Sequence, residues 1–249
     1  MSNKYTESFG LNVHPTVFGS SVLIIISITI YTLLNLSETA QMFDAIQSVI
    51  ASKAGWFYIL TVNIILGFSI YLIFSKYGKI CIGGKDEKPE FTYFSWFSML
   101  FSAGMGIGLV FYAVAEPISH YLVPPYGDGN SIESAKVAMQ FTFFHWGLHA
   151  WGIYAVLALA LAFFSFNRGL PLTIRSIFYP ILGEKIHGYI GNVIDIIATV
   201  ATLFGLTTSL GLGVKQINAG LNHLFGIPEN ISIQIILIAS ITALATISV

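Results

Sequence analysis

The chain has 249 residues, of which 9% are charged, 55% hydrophobic and 14% aromatic. Soluble proteins carry roughly 25% charged residues, so an ordinary cytosolic enzyme is excluded: too little polar surface is available to wrap a globule of this size. The net charge is -1 and the 11 Lys and Arg are scattered, which argues against a nucleic-acid partner and points to membrane lipid as the surroundings.

In chain order, Met1 to His14 is a mixed polar tail, and the apolar stretch after it is too long for a cleavable signal peptide. A helix needs about 20 mostly apolar residues to cross the hydrocarbon core. Six stretches qualify: Pro15 to Leu36, Trp56 to Phe74, Tyr93 to Ala115, Met139 to Phe166, Ile190 to Gly213, and Ile231 to Val249. The expected fold class is therefore all-α integral membrane, with six transmembrane helices in a single membrane domain over residues 1–249. Breaker residues separate the spans, among them Gly83-Gly84, Pro89, Pro117, Pro124-Pro125, Gly169 and Pro228. The segment Pro171 to Gly188 reads as a short interfacial helix on the cytoplasmic face.

Loops rich in Lys and Arg stay on the cytoplasmic side. Lys4, Lys76, Lys79, Lys85, Lys88, Arg168, Arg175 and Lys185 fall on one side and only Lys53, Lys136 and Lys215 on the other. This split of eight to three predicts a multi-pass protein of the cell membrane with a cytoplasmic N-terminus. Cys81, as the single cysteine, can form no internal disulfide. The last span ends at Val249 with no flanking Lys, Arg, Trp or Tyr, so the chain is expected to continue into a larger protein.

The third span carries Gly104-Met105-Gly106-Ile107-Gly108, a glycine at every second residue in mid-membrane. Each glycine costs about 0.8 to 1 kcal/mol relative to alanine inside a helix, which favours local unwinding. Unwound backbone at that depth must line protein, water or ligand, and discontinuous helices of this kind place backbone groups on substrate and coupling ion. Close helix packing through the Gly104/Gly108 pair is the plainer alternative. The run continues as Leu109-Val110-Phe111-Tyr112-Ala113-Val114-Ala115-Glu116-Pro117-Ile118-Ser119-His120-Tyr121, with a carboxylate and a proline closing the helix.

This string, with Tyr121 to Pro125, closely resembles the signature of the betaine/choline/carnitine transporter family. Phe144-His145-Trp146-Gly147-Leu148-His149-Ala150-Trp151 is similar to the family's fourth-helix motif. Thr202-Leu203-Phe204-Gly205 and Ser209-Leu210-Gly211-Leu212-Gly213 are similar to its fifth. The resemblance runs from about Pro15 onward. It implies a secondary transporter rather than an enzyme, importing glycine betaine, choline or carnitine on an ion gradient. It also implies a twelve-helix fold whose third to twelfth helices form two inverted repeats. This chain would hold two peripheral helices and most of the first repeat, would lack the C-terminal half, and would assemble as a homotrimer.

At about 100 degrees per residue, Trp146, Tyr154 and Trp151 fall near 0, 80 and 140 degrees, one broad face of the fourth span. Electron-rich rings attract a quaternary ammonium without needing a hydrogen-bond donor on it. By the resemblance, these three and the run Gly104, Met105, Gly106, Ile107 and Gly108 line the substrate route; membrane anchoring or helix packing is the alternative for the tryptophans. Three rings supply about 1.5 to 6 kcal/mol gross, short of the roughly 8 that micromolar binding needs. Rings from the missing half are therefore expected to complete the site.

Thr199, Thr202, Leu206, Ser209 and Gly213 recur at three- and four-residue steps along the fifth span. Threonine oxygens can ligate sodium or bond to their own helix. The family's sodium-coupled carriers use two threonines a turn apart here. Thr202 matches the first, but Leu206 stands at the second. A second sodium site uses backbone around the glycine run, which maps to Ser102 and Met105. No cofactor is implied beyond this possible sodium, and proton symport and ion-independent exchange stay open.

His145 and His149 have the i, i+4 spacing of a two-histidine metal site. Neutral packed histidines or a proton relay fit the spacing as well. Glu116 before Pro117 reads as a helix terminus, and Asp195 as a local cap or ion-pair partner. Two other classes compete with the carrier: a membrane metal enzyme built on the two histidines, which lacks a nucleophile and a base, and a non-transporting sensor or subunit.

Overall fold

The structure is a computed structural model and describes residues 6–8, 11–104 and 106–248. It is helical apart from a hairpin of two three-residue strands, Thr6–Ser8 and Leu11–Val13, paired antiparallel with Thr6 opposite Val13. Ten α-helices follow among the described residues: α1 Pro15–Leu34, α2 Leu36–Phe74, α3 Tyr93–Gly104, α4 Ile107–Leu122, α5 Ile132–Trp146, α6 Leu148–Ala162, α7 Ile174–Ile177, α8 Tyr179–Leu182, α9 Tyr189–Phe225 and α10 Ile231–Ser248. A π-helical turn, Phe163–Asn167, extends α6.

Among the described residues, four helical stretches are long and apolar enough to cross a membrane: Pro15–Leu34, Leu36–Phe74, Ile132–Asn167 and Tyr189–Phe225. The described residues bury few apolar side chains, namely Val137, Ala138, Ile186 and Val214. Large apolar groups such as Leu23, Ile59, Phe74 and Ile197 stay exposed along the helices. In lipid that exposure is not penalised, while the backbone bonds are satisfied within each helix.

Several expected boundaries move outward. The stretch between the first two spans, expected as a loop, is helical: α2 has 39 residues, about 58 Å at 1.5 Å per residue. Leu36 to Lys53 contains Glu38, Asp44 and Lys53 but no glycine or proline, so polarity ends the apolar run without ending the helix. The chain passes from α1 to α2 through Asn35 alone, whose N–H bonds to Tyr31 O at 3.0 Å. Pro117 does not close its helix either. α4 continues through it to Leu122, because a proline removes a single intrahelical bond and bends or weakens a helix without always ending it.

The fourth span begins at Ile132, capped by Ser131, whose side chain accepts from Ser134 N–H while the Ser134 hydroxyl accepts from Ser131 N–H. It breaks at Gly147, between α5 and α6. A Cβ there would sit 2.5 Å from Phe143 O, so the break requires glycine. Gly147→Ala should lower stability by about 1 to 3 kcal/mol through overpacking against fixed backbone. Thermal unfolding in detergent checks this, and an unchanged midpoint counts against a fixed break. The fifth span likewise runs on past Gly213 to Phe225 and stops at Gly226, whose φ of +68° only glycine adopts freely.

The expected single interfacial helix over 171–188 is instead α7, α8 and a 3-10 turn, Gly183–His187. The interruptions fall near Phe178 and Pro180 and at Gly183, where φ is +52°. Arg175 and Asp195 are both buried and join this segment to α9. Arg175 Nε donates to Asp195 Oδ2 at 2.5 Å, its backbone N–H to Oδ1 at 3.0 Å, and Nη1 to Asn192 Oδ1 at 3.3 Å.

The chain forms two compact units. The first is Met1–Lys88 with Leu148–Thr202, and the second is Pro89–Gly147 with Leu203–Val249. In the first, α2 packs on α6 where Gly152 lets the Leu66 backbone approach: a Cβ at 152 would lie 3.5 Å from Leu66 Cα. Asn63 and His149 meet on the same interface at 3.3 Å. Asn167 ties the loop after α2 to the end of α6, accepting from Gly83 N–H at 3.0 Å and donating to Cys81 O at 2.9 Å.

Candidate substrate site

In the second unit, Gly108, Tyr112, Glu116 and His120 stand at four-residue steps on α4. That spacing keeps them on neighbouring turns of one face, and the face meets the last turns of α5. A Cβ on Gly108 would lie 3.7 Å from Trp146 Cη2, so the absent side chain gives the indole its place. Tyr112 packs on the same indole with ring centroids 5.7 Å apart and planes tilted by 30°. Glu116 Oε2 accepts from Trp146 Nε1 at 2.6 Å. Its other oxygen, Oε1, contacts His145 Nδ1 and lies 3.3 Å from His120 Nε2.

The charge-assisted hydrogen bond to the indole is of the strong kind, and it locks the ring plane against α4. Glu116, read from the sequence as a helix terminus, thus sits inside α4 and positions Trp146. Sequence reasoning missed this role because Pro117 drew attention to an ending. The four-residue recurrence of Gly108, Tyr112, Glu116 and His120 was the available signal. The other half of the arrangement, Trp146 on α5, carries no such signal in α4's own sequence.

The single face expected for Trp146, Tyr154 and Trp151 is interrupted at Gly147, because the wheel angles assumed a continuous helix. Trp146 closes α5 in the second unit, whereas Trp151 and Tyr154 lie on α6 in the first. Those two rings do come together, with centroids 5.7 Å apart and planes at 36°. Both are exposed, Tyr154 the more so. The same break separates the expected histidine pair: His145 meets Glu116, while His149 meets Asn63.

Around the glycine run, α3 ends at Gly104 and α4 starts at Ile107, with Gly106 as the extended N-cap residue at φ -61° and ψ 179°. Met105 lies outside the described residues. Ser102 is exposed on α3. Thr202 Oγ1 donates to Ala198 O at 2.8 Å, and Thr207 and Thr208 bond likewise to their own helix. A threonine hydroxyl that donates in this way keeps acceptor capacity for a cation.

Residues 16–249 match the sequence pattern of the BCCT, betaine/carnitine/choline family transporters. The chain belongs to this family. The family is one of transporters, not of enzymes, and the apolar helices of this chain are those of a multi-pass membrane protein. The chain is 53% identical over 218 residues to the glycine betaine transporter OpuD of Bacillus subtilis, covering 87% of this chain and 41% of that protein. It is 45% identical over 248 residues to glycine betaine transporter 1 of Vibrio parahaemolyticus, covering 98% and 47%. It is 42% identical over 237 residues to the high-affinity choline transport protein of Escherichia coli, covering 95% and 35%. The chain thus spans less than half the length of these BCCT relatives.

Proposed function

We propose that the chain is the N-terminal half of a carrier that imports a quaternary ammonium compound, glycine betaine first among them, on an ion gradient. The single observation that carries this reading is its 53% identity to a protein named as a glycine betaine transporter. The aromatic geometry supports it. Trp146 is held against Gly108 and Tyr112, and Trp151 stacks near Tyr154. Each ring face can attract a trimethylammonium group.

In this reading the membrane domain has six spans, α3 and α4 together forming a discontinuous third. The N-terminus is cytoplasmic, and the fold is completed to twelve helices by the C-terminal half. The backbone from Gly104 to Gly108 lines the substrate route, and alternating access proceeds by rocking of one helix bundle around a midplane site. Sodium is the coupling ion in this scheme, with one site using backbone at the positions of Ser102 and Met105 and a separate site using the Thr202 hydroxyl. Leu206 removes one hydroxyl from the threonine site, so the backbone site carries more of the task. The assembled carrier is a homotrimer.

The test is uptake of radiolabelled glycine betaine by cells that lack their own uptake systems and express the intact carrier. Initial rates are expected to collapse with a sodium ionophore and to survive a protonophore at constant membrane potential. Collapse with the protonophore alone assigns proton coupling, and survival in both assigns exchange. Absence of any uptake, with the protein present in the membrane, removes the carrier reading.

A further inference from the structure

We propose that Glu116, His120 and His145 form a binding site for a divalent metal ion of the zinc class, joining α4 to α5. One ligand atom from each of the three converges within 4.8 Å of the others. Glu116 and His120 are four residues apart on α4, on adjacent turns of one face. His145 approaches them from the last turn of α5. A tetrahedral zinc ion with bonds of about 2.0 to 2.1 Å separates its ligand atoms by about 3.3 Å. Glu116 Oε1 and His120 Nε2 already stand 3.3 Å apart. His145 Nδ1 touches the same oxygen and must retreat to admit an ion, which its 46% exposed side chain leaves room for.

The surroundings are those of a metal site rather than of a simple ion pair. Trp146 Nε1 holds Glu116 Oε2 at 2.6 Å, leaving Oε1 aimed at the two imidazoles. An outer hydrogen bond of this kind fixes a ligating carboxylate in place. Phe141 packs against both imidazoles, at centroid distances of 5.7 Å from His120 and 6.0 Å from His145, and restricts their rotation. Two histidines and one carboxylate are a ligand set suited to zinc, and the exposed side near His145 leaves the fourth vertex to water. Imidazole ligands disfavour magnesium and sodium, which take oxygen.

Equilibrium dialysis of the purified, chelator-stripped protein against zinc chloride, with metal content read by mass spectrometry, tests the site without any transport assay. The wild type should hold one zinc ion that His120→Ala and His145→Ala bind roughly tenfold more weakly or worse. His120→Cys, which supplies a thiolate ligand, should retain it. His187→Ala, which removes a histidine outside the cluster, should leave it unchanged. Zinc should also raise the thermal midpoint of the wild type and not of His120→Ala, with circular dichroism showing that each variant is folded. No bound zinc in the wild type, equal zinc in wild type and both alanine variants, or loss in both His120→Ala and His120→Cys overturns the proposal.

Discussion

Replacing Arg175 with alanine should destabilise the protein by about 3 to 5 kcal/mol, the cost of leaving one partner of a buried ion pair uncompensated. Both side chains lie away from solvent, and Arg175 bonds to Asp195, Asn192 and the Ile186 carbonyl region at once. The loss falls on the junction of α7 with α9. Asp195→Asn should cost nearly as much, since it preserves shape but strands the guanidinium. The paired change Arg175→Met with Asp195→Leu should recover much of the loss, because a buried pair is often replaceable by apolar groups of similar volume. Unfolding in detergent, followed by temperature or denaturant, checks the series. A double variant as unstable as the worse single variant would show that the pair does more than compensate its own burial.

Trp151→Leu should raise the half-saturation concentration for glycine betaine uptake by about twofold to thirtyfold, the range set by one cation-π contact of about 0.5 to 2 kcal/mol. Trp146→Leu should have a larger effect than the ring contact alone. It also removes the indole N–H from Glu116 and leaves a cavity against Gly108 and Tyr112. Trp146→Phe separates the two contributions: it keeps an aromatic face and loses the hydrogen bond. Unchanged half-saturation in both leucine variants would remove these tryptophans from the substrate route and leave them as packing residues.

Much of the architecture was readable in advance for a simple reason. Hydropathy reports where a chain prefers lipid, and the apolar centres of α1, α2, α6, α9 and α10 fall where the composition put them. Helix ends were less legible. Leu36 to Lys53 and Gly213 to Phe225 are polar yet helical, because a helix requires satisfied backbone bonds and not apolar side chains. Pro117 and Gly147 show the opposite error. The proline looked like a stop and is passed through, while the glycine looked incidental and ends α5.

The residues by themselves determined that this is a helical membrane protein with no soluble enzyme core, and that its motifs are those of the BCCT family. Those properties follow from side-chain solvation and from short local strings, which need no folded context. Only the tertiary structure decided that Glu116 holds Trp146 and meets both His120 and His145, that His149 turns instead to Asn63, and that Arg175 and Asp195 find each other across 20 residues. Apart from Glu116 with His120, one turn apart on α4, each pairing joins residues on different helices. Helical periodicity fixes neighbours within a turn or two but cannot say which face of another helix will lie opposite.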